Sequence, residues 1–266
     1  MKPKGISIGF ISDLHIGSVT SPWPTGLSYR SSRLQTYLYE EFCRHLEVLS
    51  KCYSVVLMGD LTHGSNVLRR GRFTVTPDLE VQVNAAIEVL RPLKGKTKIL
   101  GVRGSGYHTS SDYDLEKVIV EELGGTWMGR FAAVQFGNFE TKFLLIHDAS
   151  HSMIYKMTPL ERDRRELDIS ISRGKFPFHP DVWVFGHVHK ASAYCENFQN
   201  STRWTVTLPC WQAWWPEWKG TSKVIGAKMP DLGTGIIELE EDRIFPRFIF
   251  LDHRRVSELT VEVIRG

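Results

Sequence analysis

Ser54-Val55-Val56-Leu57-Met58-Gly59-Asp60-Leu61-Thr62-His63 is the stretch on which the fold of this chain turns. Val55 to Met58 is an apolar run with two β-branched residues and no polar alternation, which reads as a strand buried on both faces in the parallel part of an α/β sheet. Asp60 breaks the run. A carboxylate directly after such a strand lies at the strand's carboxyl edge, where open α/β sheets place ligands, and Gly59 permits the tight turn that puts it there. A buried carboxylate is costly unless it is paired or metal-bound. Standing alone, Asp60 would be read as a loop residue capping the next helix, so the question is whether other strands end in the same way.

They do. Ile6 to Ser12 is an apolar strand followed by Asp13-Leu14-His15. On an extended segment residues i and i+2 share a side, so Asp13 and His15 are expected to grip one cation together. Carboxylate oxygen with imidazole nitrogen suits Mn, Fe, Ni or Zn better than Ca. Thr97 to Val102 leads into Arg103-Gly104-Ser105-Gly106-Tyr107-His108, delivering His108 to the same edge. Lys142 to Ile146 ends at His147-Asp148, with His151 close by, and the buried strand from Asp181 ends in Gly186-His187-Val188-His189. Two imidazoles spaced by one residue on an extended segment can serve adjacent metals. A single Asp-x-His or core histidine is an ordinary turn or packing residue; the repetition is what argues for a metal centre.

The rest of the chain supplies the frame. Helical spacing covers Arg33 to Ser50, a helix capped by Asp78 and reaching about Leu90, Asp112 to Leu123 closed by Gly124-Gly125, and Thr158 to Ser172. Phe131 to Phe136 and Lys142 to Ile146 read as a hairpin through Gly137-Asn138, and Ala191 to Leu208 and Gly235 to Leu251 as antiparallel strands. Gly17 to Ser32 reads as a long loop on the face of the site. No repeat or linker divides the 266 residues, and a single domain over 1–266 is expected. The formal charge of +3 neither demands nor forbids a nucleic-acid partner. Cys43, Cys52, Cys195 and Cys210 lack the spacing of a zinc site or disulfide framework and read as buried reduced thiols. With no signal-like apolar region and no apolar run of about 18 residues, the expected location is cytoplasmic, without a membrane.

Taken in order, Asp13-x-His15, Gly59-Asp60, His147 and Gly186-His187-Val188-His189 make the chain resemble the calcineurin-like metallophosphoesterases over residues 6 to 189. The resemblance implies an α/β fold, a four-layer α/β/β/α sandwich of two mixed sheets with a two-metal centre at the strand ends. It implies that Asp13, His15 and His189 hold one divalent ion, that His147 and His187 hold a second, and that Asp60 bridges them. A shared carboxylate offsets part of the repulsion between two divalent ions about 3.5–4 Å apart. The family usually carries Gly-Asn-His-Asp or Gly-Asn-His-Glu after the third strand, with the Asn on the second metal. Here the Asn is absent and the His displaced, a pattern similar to a Gly-Thr-x-x-His variant of phage-encoded members. His151 or a water are the candidates for the vacant ligand position.

The activity implied is hydrolysis of a phosphate ester by metal-activated water, with His108 as the acid for the departing oxygen and Mn²⁺ the favoured ion ahead of Fe, Zn or Ni. Asp112 or Asp148 is expected to orient an imidazole. Within this class a phosphodiesterase or nuclease is favoured over a phosphomonoesterase or protein phosphatase, the partner being a phosphate ester such as nucleic acid or a nucleotide. A homo-oligomer is compatible with the sequence. Two rival readings stand beside this one: a non-catalytic scaffold with a degenerate metal site, against which the retained ligand positions argue, and a metalloprotease helix built on His147 and His151, against which the missing Glu argues.

Beside Asp60 the segment Asn66 to Pro77 carries Arg69, Arg70 and Arg72, candidate contacts to substrate phosphate. After Pro209 come Trp211, Trp214, Trp215 and Trp218. Trp211 and Trp214 serve equally as plugs between the sheets, whereas Trp215 and Trp218 are candidates for exposure, with Trp218 as a base-stacking platform or subunit contact. If the arginines follow a nucleic-acid backbone, affinity for oligonucleotide falls steeply with salt. Replacing all three by Ala then flattens that slope by up to about 0.7–0.9 for each phosphate no longer neutralised. A binding titration across salt concentrations checks this, and an unchanged slope excludes these side chains from the phosphates.

Overall fold

The computed structural model describes residues 5–27, 29–65, 73–106, 108, 114–148, 157–175, 179–198, 201–213, 229–241 and 243–265. Two mixed sheets lie face to face. The first joins β1 (Ile6–Ile11), β2 (Ser54–Leu57), β3 (Lys98–Gly101) and β4 (Thr126–Trp127) as parallel neighbours, and extends beyond β1 through the antiparallel β10 (Gly233–Glu240) and β11 (Arg243–Phe250). The second runs β5 (Phe131–Gln135), β6 (Lys142–Ile146), β7 (Val182–Phe185), β9 (Ser201–Thr207) and β8 (Ser192–Phe198), with β6, β7 and β9 parallel.

Strand periodicity of two sorts the side chains into layers. In β2, Val55 and Leu57 face outward with Ile11, Ile99 and Ile236 into a core shared with α1 (Arg33–Leu49), α2 (Leu79–Leu90) and α3 (Leu115–Glu122). Val56 and Met58 face the other way, meeting Ile8 and Phe10 and the side chains of Phe143, Leu145, Val182, Val184 and Val206 from the second sheet. The outer face of the second sheet presents Leu144, Trp183 and Phe185 to Leu167 of α4 (Met157–Ser172). The order helix, sheet, sheet, helix is the four-layer sandwich that the resemblance implies. It also explains why β2 shows no polar alternation: both of its faces are dry.

The helices begin where local chemistry dictates. Ser32 caps α1 by accepting from the Gln35 N–H, while the Gln35 side chain accepts from the Ser32 N–H, so two orphan donors are satisfied reciprocally. Asp78 accepts from the Glu80 and Val81 N–H groups at the start of α2. Helix α3 begins at Leu115, later than expected, with positions 111–113 outside the described residues. A further helix, α5 (His253–Arg265), has no counterpart in the sequence reading; it sets Val256 and Leu259 into the outer core of the first sheet.

Several expectations need correction. The segment from Gly17 is irregular, as expected of a loop, but its first part is packed: Ser18, Thr20, Ser21 and Trp23 are buried, and Gln35 donates from α1 to the Ser18 carbonyl. Trp211 is fully buried but does not plug the gap between the sheets; it packs edge-on against Phe42 and His45 of α1, on the helix side of the first sheet. Trp214, Trp215 and Trp218, like Arg69, Arg70, Arg72, Asp112 and His151, lie outside the described residues. Cys195 is exposed on the edge strand β8 and Cys43 is half-buried, so only Cys52 and Cys210 are the buried thiols expected. Among the described residues no helix is long and apolar enough to cross a membrane.

His45, buried beneath Trp211, has a consequence for acid stability. Burial pushes its pKa down from 6.5 to about 4. Between those values the unfolded chain takes up a proton that the folded chain refuses, so this group makes stability fall as pH falls from 6.5 to 4. His45→Leu keeps the apolar contact and removes the titration. Its denaturant midpoint is expected to decline less than that of wild type across this window, and parallel profiles would refute the assignment.

Candidate metal centre

Because β1, β2 and β3 are parallel to one another, and β6 is parallel to β7, their carboxyl ends open onto one edge of the sandwich. Asp13 and His15 follow β1, Asp60 follows β2, Ser105 and His108 follow β3, His147 follows β6, and His187 and His189 follow β7. The loops are stitched by main-chain bonds that prolong strand pairing: Asp13 N–H to the Gly59 carbonyl (3.1 Å), His15 N–H to the Asp60 carbonyl (2.9 Å) and His63 N–H to the Ile16 carbonyl (2.8 Å).

The segments carrying the ligands are not extended, contrary to the sequence reading. Asp13, His15, Asp60, His187 and His189 all have φ between +48° and +66°, the left-handed region that costs a non-glycine residue about 1–2 kcal/mol. The pairs two apart still converge as expected, but through left-handed turns. Each turn bends the chain away from the strand axis and across the sheet edge, which a straight strand would overshoot. Gly59, with φ of +86°, allows closer contact still, since a Cβ there would meet Gly104 Cα at 2.5 Å and His147 Nδ1 at 2.9 Å.

Two ligand groups result. Asp13, His15 and His189 each bring one donor atom within 4.8 Å of the others, and so do Asp60, His147 and His187. Asp13 Oδ1 lies 3.0 Å from His189 Nε2, 3.8 Å from His15 Nε2 and 3.9 Å from His147 Nε2, and Asp60 Oδ2 lies 3.0 Å from His147 Nε2. Asp60 therefore sits with the second group, and Asp13 reaches towards both. In the loop after β3, where the resemblance would have an Asn, Ser105 holds Asp60: its N–H donates to Asp60 Oδ1 at 2.7 Å and its hydroxyl lies 3.0 Å from Oδ2. The sequence marks Ser105 as part of the variant loop; its bonds to Asp60 appear only in the fold.

Among the described residues two imidazoles, those of His147 and His108, are oriented by main-chain carbonyls; Asp148 orients neither, and Asp112 lies outside the described residues. His147 Nδ1 lies 2.5 Å from the Met58 carbonyl and His108 Nδ1 lies 2.8 Å from the His63 carbonyl. A carbonyl only accepts, so each of these rings carries a proton on Nδ1 and turns Nε2 to the site. Asp148 instead pairs with Arg130 at the surface. His108 stands edge-on to His15, ring centroids 4.4 Å apart. His63, three residues beyond Asp60, joins His15 and His108 in a third cluster that the sequence reading does not single out.

Electrostatics mark the site as built for positive charge. Burial would raise the Asp13 and Asp60 carboxyls, yet His189 and His147 around Asp13, and His147 and His108 around Asp60, hold both below the usual carboxylate range. Burial would lower His147, but the carboxylates of Asp60 and Asp13 push it up to about 10. His15 is driven well below its ordinary value by burial and by its neighbours His108 and His189. Asp13 Oδ1 and His147 Nε2 are buried without a partner in hydrogen-bonding geometry. Buried oxygen and nitrogen atoms left without hydrogen-bond partners, within two Asp/His sets, are the ligand pattern of mid-row divalent ions, so the residues present fit such a group.

No family profile and no curated protein sequence matches the chain. Among solved structures it is similar to a conserved protein of Streptococcus pneumoniae TIGR4 described as a predicted phosphoesterase, at 13% identity and a TM-score of 0.43 over 93% of this chain and 91% of that one. A novel archaeal phosphodiesterase aligns at 13% identity and a TM-score of 0.46 over 92% of this chain and 100% of that one. Vps29 of Entamoeba histolytica, complexed with zinc, aligns at 14% identity and a TM-score of 0.41 over 93% and 100%. Likenesses at this level carry no inference about activity, which is argued from the site itself.

The roles of Asp60 and His108 separate experimentally. Asp60→Asn is expected to strip bound divalent ions from the protein. His108→Ala is expected to keep them and to lose about 10²–10⁴-fold in turnover, most severely for poor leaving groups. Elemental analysis after gel filtration reads the first effect and steady-state kinetics the second. Loss of metal in both variants would make His108 a ligand, in company with His15 and His63.

Proposed function

We propose that this chain is a calcineurin-like metallophosphoesterase, a single domain over residues 1–266 that hydrolyses phosphate esters with two divalent ions. The observation that carries the reading is the convergence, from strand ends of both sheets, of Asp13, His15 and His189 beside Asp60, His147 and His187, with buried donor atoms left unsatisfied. When bound, the ions supply Lewis acidity, lowering the pKa of water and stabilising charge on phosphoryl oxygens. Asp13, His15 and His189 would hold one ion; Asp60, His147 and His187 would hold the other, with Asp60 or Asp13 placed to be shared.

The chain's own residues then have distinct tasks. The Met58 carbonyl keeps the His147 Nδ1 proton in place, so Nε2 is the nitrogen directed at the second group. Ser105 fixes the rotation of the Asp60 carboxylate from both main chain and side chain. His108, braced through Nδ1, is the acid that gives its Nε2 proton to the ester oxygen as that bond breaks. A phosphodiester, including that of nucleic acid or a nucleotide, is the favoured substrate, on the ground of Arg69, Arg70 and Arg72 in the segment that follows Asp60.

The test is a screen of chelator-stripped protein, with and without added divalent ions, over an aryl phosphodiester, single-stranded and duplex DNA, RNA, cyclic nucleotides and phosphomonoesters. Hydrolysis is expected only with metal, best with Mn²⁺, and faster on diesters than on monoesters. Full activity after chelation overturns the metal-dependent reading. A preference for monoesters overturns the diester assignment alone.

A further inference from the structure

Between the second metal group and the helix layer lies a carboxylate that the mechanism does not use. Glu116, in the first turn of α3, is 1% exposed. Its Oε1 accepts from the Leu61 N–H at 3.1 Å and its Oε2 from the Gly104 N–H at 2.6 Å. Leu61 directly follows Asp60, and Gly104 directly precedes Ser105. One side chain on a rigid helix therefore holds, at adjacent residues, both the loop that carries Asp60 and the loop that restrains it. The fit is close: a Cβ at Gly104 would meet Glu116 Oε1 at 2.8 Å as well as Asp60 itself. Burial and the charge of Asp60 push the Glu116 carboxyl up to about 7, a cost in free energy that an apolar residue at this helix position would not incur.

We propose that Glu116 is a positioning residue for the second metal group, clamping the loops after β2 and β3 so that Asp60 and Ser105 are preset to receive the ion. The inference rests on the two-metal reading. Its physical content is that both partners are N–H donors, so the clamp needs two acceptor oxygens on one side chain. Glutamine has the same shape but a single acceptor; its amide nitrogen would face one N–H with another. A residue kept only to fill space would tolerate glutamine.

The experiment is calorimetric titration of Mn²⁺ into chelator-stripped, full-length wild type and Glu116→Gln at pH 8. Wild type is expected to bind two ions. The variant is expected to lose about 10–100-fold in affinity at one site, the range typical of residues that orient ligands, and to keep the other. At saturating Mn²⁺ its kcat recovers while KM for substrate stays unchanged. Unaltered affinity at both sites overturns the proposal. If the variant does not fold, amide exchange in wild type decides: slow exchange at Leu61 and Gly104 supports the clamp, and exchange at the rate of exposed loops overturns it. Wild type that binds no Mn²⁺ would refute the two-metal reading, whereas the exchange measurement would still report on the clamp.

Discussion

Everything at the carboxyl edge depends on the burial of one carboxylate. Asp13 follows the central strand of the first sheet and has no exposed surface. A charge so placed is tolerable only if it is compensated. The second sheet supplies most of the compensation: the His187 N–H donates to Oδ2 at 3.0 Å, and the imidazoles of His189 and His147 offset the charge at Oδ1, which has no hydrogen-bond partner, while the adjacent Ser12 hydroxyl donates to Oδ2. Two apolar faces could slide over one another at little cost. A buried anion whose partners come from the facing sheet cannot be displaced without losing them, so it registers the two layers.

The left-handed turns follow from the same arrangement. To bring side chains from the ends of β1, β2 and β7 to one point, each chain must leave its strand sharply, and five candidate ligands adopt positive φ to do so. That strain is sustained because the loops remain hydrogen-bonded to one another and are buttressed from α3 by Glu116. Packing energy from the helix and sheet layers thus holds the cluster in shape in the free chain, and under the proposed function this is the requirement for electrostatic preorganisation.

The frame of the protein is legible because burial writes itself as periodicity. Val55 to Met58 reads as a strand covered on both faces, and Asp78 marks a helix start by its side-chain chemistry. The six ligand candidates are legible because imidazoles and carboxylates recur at strand ends, where packing gives no reason for them. What the sequence conceals is tertiary. Ser105 and Glu116 belong to the site only because β3 and α3 lie beside Asp60, and neither residue type advertises the role. The main-chain carbonyls that orient His147 and His108 leave no mark in the sequence. The complete burial of Trp23 is hidden for a related reason: a segment rich in Ser, Pro and Gly reads as a loop, and the packing of its first part shows only in the fold.

The carbonyl of Met58 has a further consequence for how such a site is inherited. A histidine oriented by an aspartate depends on a codon elsewhere in the gene, and drift at that codon can unseat it. His147 is oriented by a peptide group, which every residue at position 58 would supply so long as the strand persists. The proton's place on Nδ1 is therefore a property of the backbone path. It survives replacement of the methionine side chain, which is free to answer only to the packing between the sheets.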